Sequence, residues 1–123
     1  GVDVQLVIRT NNTKLHLDEA LQAITEIAEI AQSIEFVGAE PTRHTYLRQM
    51  VERAKFLGLR VIIRTNGSSR PRHYKRLAEA GVDSFEVSPS AFDPKDFRTK
   101  NNPGRVHNST ETIRELGLLT MIE

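Results

Sequence analysis

Along the chain, the spacing of apolar positions switches repeatedly between a period of two and a helical period. Val2, Val4, Leu6, Val7 and Ile8 lean toward β structure and predict a strand over 2–10. Asn11-Asn12-Thr13 follows as a turn. Leu17, Ala20, Leu21, Ile24, Ile27, Ala28 and Ala31 then fall on one stripe, which predicts an amphipathic helix over 17–33. Asp18 and Glu19 suit the positive end of its dipole. The apolar run Ile34-Glu35-Phe36-Val37 is closed by Gly38-Ala39-Glu40-Pro41, and 42–58 reads as a second helix with Leu47, Met50, Val51, Ala54 and Leu57 inward.

The alternation continues to the end of the chain. Residues 59–65 predict a third strand, 71–80 a helix opened by Pro71 and stopped by Gly81, and 82–88 a fourth strand. A long polar stretch over 90–103 carries Phe92 and Phe97 and reads as a substrate loop or a disordered connection. A helix over 108–116, capped by Asn108 or Ser109, and the start of a fifth strand over 118–122 complete the pattern. Strict β-α alternation predicts an α/β domain with a parallel sheet and right-handed crossovers. Val7-Ile8-Arg9-Thr10-Asn11-Asn12 also echoes Ile62-Ile63-Arg64-Thr65-Asn66-Gly67, as repeating units would.

Each strand of such a sheet delivers small and polar residues to its carboxyl edge, where ligands bind in α/β folds. Gly38-Ala39 would let a ligand approach the main chain, and Glu40 either caps the next helix or serves a ligand site. Thr65-Asn66-Gly67 is either site or simple turn, and Ser88 either site or local hydrogen bonding.

Composition narrows the choices. A net charge of +1 gives no electrostatic case for nucleic acid or an acidic membrane surface. The basic run Arg70, Arg72, His73, Lys75 and Arg76, interleaved with Tyr74, therefore reads first as a solvated helix face, with a phosphate or nucleic-acid contact as the alternative. No apolar run approaches the roughly 20 residues of a bilayer span, and without a signal peptide a cytoplasmic home is expected. The four histidines lack metal-ligand spacing. With no cysteine, the chain has no thiol nucleophile and no thiolate for zinc or an iron–sulfur cluster. Its 123 residues are too few for a closed eight-stranded barrel, and both ends suggest an excised piece of a longer protein. An open sheet edge would then favour self-association.

Four segments in order resemble the core of radical S-adenosylmethionine (SAM) enzymes: Phe36-Val37-Gly38-Ala39-Glu40-Pro41-Thr42, the run Gly58 to Gly67, the run Ala80 to Ser88, and Glu111-Thr112-Ile113-Arg114-Glu115-Leu116-Gly117-Leu118. The resemblance covers about residues 15–123. It implies a partial (β/α) barrel of about five strands here, a fragment of a larger one, with SAM across Gly38, Ala39, Glu40, Pro41, Thr65, Asn66, Gly67 and Ser88. Gly38-Ala39-Glu40-Pro41 matches the family's Gly-Gly-Glu-Pro motif, whose main chain receives the methionine amino group; alanine in second place is a departure. In the parent enzyme a four-iron four-sulfur cluster would reduce SAM to a 5′-deoxyadenosyl radical that attacks an unknown substrate. The Cys-x-x-x-Cys-x-x-Cys loop that binds the cluster is missing, since Asn11-Asn12-Thr13-Lys14 stands after the first strand. The alternatives are a catalytically silent scaffold or binding module, and a half-barrel enzyme holding a phosphorylated substrate on Asn66-Gly67-Ser68-Ser69.

Overall fold

Among the described residues, five parallel strands alternate with four helices. In the computed structural model residues 2–8, 17–88 and 103–122 are described. The elements are β1 (Val2–Ile8), α1 (Leu17–Ala28), β2 (Ala31–Gly38), a 3-10 turn (Pro41–Arg43), α2 (Leu47–Phe56), β3 (Arg60–Thr65), α3 (Pro71–Ala80), β4 (Ser84–Val87), α4 (Pro103–Glu115) and β5 (Leu119–Met121). The strands lie in chain order, β1-β2-β3-β4-β5, every pair parallel. The helices follow the same order, α1 against α2, α2 against α3 and α3 against α4. A sheet wound in one direction with its helices side by side is a partial (β/α) barrel; a doubly wound sheet reverses its strand order.

Strand alternation sorts the side chains into two layers. Ile34, Phe36, Val61, Ile63, Phe85 and Val87 are fully buried beneath the helices with Ile24, Met50, Val51, Tyr74, Val106 and Ile113. Tyr74 meets Phe85 edge to face with centroids 5.4 Å apart. The opposite, inner face is polar. Gln5, Glu35, Arg64, Glu86 and Thr120 lie on it, with Ile62 as an apolar patch.

Three helix boundaries depart most from the sequence expectation, while β3, β4 and β5 are shorter than expected by one to three residues. The first helix ends at Ala28, not at 33, because Ala31 and Ser33 pair with Val2 and Asp3 of β1. The helix expected over 42–58 divides into the 3-10 turn and α2, since Glu40 at the turn's start makes no capping bond and is used elsewhere. The last helix begins at Pro103, so Asn108 and Ser109 are interior residues and not caps. Proline at a helix start gives up no hydrogen bond, its missing N–H being one of the unpaired ones anyway. The turn at Asn11-Asn12-Thr13, His16 and the stretch 90–102 lie outside the described residues.

Candidate functional site

At the carboxyl edge, Phe36 pairs with Ile63, and both strands run two residues further, to Gly38 and Thr65. The chain leaving β2 then turns sharply. Arg43 N–H donates to the Glu40 carbonyl at 3.1 Å and His44 N–H to the Pro41 carbonyl at 2.9 Å. This turn points the Glu40 side chain back into the protein, where it is 2% exposed.

Glu40 is the hub of the edge. Its Oε1 accepts from the Thr42 hydroxyl at 2.8 Å and the Thr65 hydroxyl at 2.6 Å, and its Oε2 accepts from the Asn66 N–H at 2.9 Å. Thr65 has one proton and gives it to the carboxylate, so the Tyr74 hydroxyl, 2.8 Å away, donates to Thr65. Thr65 also accepts from the Gly67 N–H at 3.2 Å. By the same count the Ser69 hydroxyl donates to Thr42 at 2.6 Å. Among the described residues no cation pairs with Glu40. Burial therefore drives its carboxyl above the ordinary range, against the pull of Thr65, Asn66 and Thr42. Burial likewise raises the Tyr74 phenol, and the nearby Glu40 charge adds to the effect.

The loop after β3 is built from its own polar groups. Ser68 N–H donates to the Asn66 side-chain oxygen at 2.9 Å, and Arg43 donates to the Ser68 hydroxyl at 2.9 Å. Ser109 of α4 donates to the Ser69 carbonyl at 2.6 Å. Gly67 packs against that helix: a Cβ there would lie 3.3 Å from the Val106 side chain and 3.5 Å from the Thr110 hydroxyl. Glycine at this position thus serves close packing and a φ of 76°.

The expected site residues fall into two groups. Gly38 and Ala39 are exposed at the strand end, Asn66 is half-buried beside them in the adjacent loop, and Ser88 is half-buried at the end of β4. Glu40, Pro41, Thr65 and Gly67 are buried and shape the edge from beneath. Of the two readings open for Glu40, the helix cap is not observed. Ala39 costs no backbone strain, because among the described residues every positive φ belongs to glycine.

Thr42, Ser69 and Tyr74 belong to the same network; Ser69 was expected only as part of a phosphate-binding loop, and Thr42 and Tyr74 were not expected as site residues. Tyr74 carried one usable signal, an aromatic three residues before Leu77 inside a basic run, with both side chains buried.

The inner face carries a second polar cluster. Gln5 donates to Glu35 at 2.8 Å, and Arg64 lies 3.4 Å from Glu35 and 3.7 Å from Glu86. Hydrogen bonding to the neighbouring Glu35 carboxylate, with burial second, raises the Glu86 carboxyl. For Glu35, burial is outweighed by Glu86, Gln5 and Arg64, and its carboxyl is lowered. Among the described residues no three His, Cys, Asp or Glu side chains converge as a metal site, and no helix is long and apolar enough to cross a membrane.

Comparison with known proteins agrees with this geometry. The chain is 29% identical over 101 residues to an S-adenosylmethionine-dependent nucleotide dehydratase of Flammeovirga pacifica, a match covering 81% of this chain and 34% of that protein. It is 30% identical over 102 residues to a GTP 3',8-cyclase of Limosilactobacillus fermentum, covering 80% of this chain and 31% of that protein. The chain thus spans about a third of the length of these relatives. The profile of the radical SAM superfamily matches residues 7–122, and the chain belongs to that superfamily.

Proposed function

We propose that this chain supplies the SAM-binding edge of a cytoplasmic radical SAM enzyme, with the main chain of Gly38 and Ala39 receiving the methionine part of SAM. Asn66 and Ser88 flank it, and Glu40, Pro41, Thr65 and Gly67 hold its shape. One observation carries this reading. The Glu40 carboxylate is spent entirely on Thr42, Thr65 and Asn66, so the turn after β2 is tied to the end of β3 while Gly38 and Ala39 stay exposed. A site whose shape is set before the ligand arrives loses less entropy on binding.

Members of the superfamily use SAM with a four-iron four-sulfur cluster. The cluster does not fit this chain: there is no cysteine in its 123 residues, and no other ligand set converges among the described ones. No electron-transfer step is therefore assigned to these residues. The chain binds and orients SAM; cluster ligands must come from elsewhere in the parent enzyme, whose remainder is its expected partner. The silent-scaffold alternative rests on the same absence. The phosphorylated-substrate alternative finds its donors engaged, since Gly67 N–H, Ser68 N–H and the Ser69 hydroxyl already serve Thr65, Asn66 and Thr42.

The test is a titration of the isotope-labelled chain with SAM, read by amide chemical shifts. Shifts centred on Gly38, Ala39 and Asn66, with no 5′-deoxyadenosine formed on adding a reductant, support the reading. No response of residues 38–41 and 65–67 at millimolar SAM, or shifts confined to other surfaces, would refute it.

A further inference from the structure

Next to the barrel edge, and sharing Thr42 and Arg43 with it, lies a second concavity, a cleft of about 530 Å³ between the start of α2 and the outer surface of α3. Three separate elements bring basic side chains to it: Arg43 from the 3-10 turn, Arg48 from the first turn of α2, and His73 and Arg76 from α3. His44 completes the wall, and no carboxylate is among the lining residues. The sequence shows Arg70 to Arg76 only as a basic run; folding sets two of its members against basic residues some 30 positions earlier.

We propose that this cleft binds a phosphate group, held by Arg43, Arg48 and Arg76. Three like charges converge here on a chain whose net charge is only +1. Their compensation is partial. Arg48 pairs with Glu52 at 3.1 Å, while Arg43, whose Nη2 donates to the Ser68 hydroxyl, and Arg76 pair with no carboxylate among the described residues. An anion in the cleft relieves that repulsion. Guanidinium forks match phosphate oxygens in pairs, and a tetrahedral dianion has oxygens for three forks where a carboxylate has only two atoms to share. The start of α2 adds to the field: it has no side-chain cap and no acid in its first turn, and Arg48 and Gln49 line the cleft. Size favours a phosphorylated small molecule over a bare ion, because 530 Å³ lies within the range of small-ligand pockets. A nucleic-acid strand would need a longer basic track.

The histidines supply a local reporter. His44 Nδ1 accepts from the Tyr46 N–H at 3.1 Å, which leaves the proton of the neutral ring on Nε2. His73 is held below its ordinary titration range by burial first and then by Arg72, Arg76 and Arg70. A bound phosphate opposes those arginines and must move His73 upward.

The experiment is a titration of the full chain with inorganic phosphate at constant ionic strength, sodium chloride making up the balance. Saturable shifts at the Arg48 and Gln49 amides and an upward move of the His73 midpoint are expected. Arg76→Gln should weaken binding by about tenfold or more, as loss of a charge-assisted hydrogen bond does. Arg72→Gln, exposed on α3 and not lining the cleft, should leave it unchanged. Both substituted side chains are exposed, so folding is preserved and is checked by circular dichroism. Shifts that chloride reproduces, or equal weakening by the two variants, would overturn the proposal. SAM plays no part in these readouts, so the outcome is separable from that of the SAM titration.

Discussion

Thr65→Val tests the hydroxyl on which the carboxyl edge depends. The two side chains have nearly the same shape and Thr65 is 4% exposed, so the change removes hydrogen bonds without opening a cavity. Glu40 loses a donor at 2.6 Å, a bond to a charged group worth about 1.5–3 kcal/mol. The fully buried Tyr74 hydroxyl loses its acceptor at 2.8 Å, and an unsatisfied buried donor costs about 1–3 kcal/mol. The Gly67 N–H bond at 3.2 Å is the weakest of the three. Part of the loss is recovered by relaxation, which leaves a destabilisation of about 3–4 kcal/mol. With a urea slope near 2 kcal/mol/M, the unfolding midpoint falls by about 1.5–2 M.

The pH dependence of this penalty separates the network from ordinary packing. Burial places the folded Glu40 carboxyl above the ordinary range of a glutamate, and Thr65 is the largest opposing influence. A group raised on folding contributes stability that is complete below its unfolded value and is lost as pH rises through the folded one. Removing Thr65 raises the folded value further and enlarges that loss at neutral pH. Thr65→Val should therefore cost more at pH 7.5 than at pH 4. Adding Tyr74→Phe removes the orphaned hydroxyl, so the double variant should be about 1–2 kcal/mol more stable than the two single effects predict. A penalty below about 0.5 kcal/mol, within the range of surface changes, or one that does not vary with pH, would refute the network as described.

Other expectations follow from the same structure. Gly81→Ala puts a Cβ 2.8 Å from Lys55 Cγ at a φ of +113°, whereas Gly58→Ala at +84° meets nothing within 4 Å. The first should lower thermal stability by about 2–3 kcal/mol and the second by about 1 kcal/mol, the strain of φ alone. Asp83 accepts from Lys55 and from the Val61 N–H, each at 2.8 Å, and these outweigh the effect of burial to hold its carboxyl below 3.8. Its contribution is present above that value and lost as pH falls through the lower folded one, so the advantage of wild type over Asp83→Asn should shrink steadily as pH falls below about 4. Finally, β1 and β5 each pair on one side only among the described residues, so sedimentation should detect self-association that rises with concentration. A monomer at all concentrations would count against the open edge as an interface.

The one-dimensional pattern was enough for what depends on neighbours in the chain. Period-two runs, helical stripes and the Gly81 stop are local, and α3 appears with the bounds its sequence predicts. The edge motifs Gly38-Ala39-Glu40-Pro41 and Thr65-Asn66-Gly67 were equally visible, because each is a short contiguous signal. The errors came where local and distant preferences compete. Ala31 continues the stripe of α1, yet pairing with Val2 claims it for β2. Pro103-Gly104 looks like loop chemistry, yet α4 starts there and sets Val106, Ser109 and Thr110 against the loop after β3.

Only the fold could assign roles within the edge. Glu40, Thr65 and Tyr74 stand 25 and 9 residues apart, and their bonding order follows from one hydroxyl proton and one buried carboxylate brought together. The outer basic cleft has the same origin: Arg43 and Arg76 share no sequence pattern, and parallel βα units place their side chains across one gap. The type and order of the elements follow from local spacing, so the sequence determined them, apart from the boundaries that strand pairing moved. Charge, burial and hydrogen-bond partners depend on contacts between distant segments, and the tertiary structure decided them.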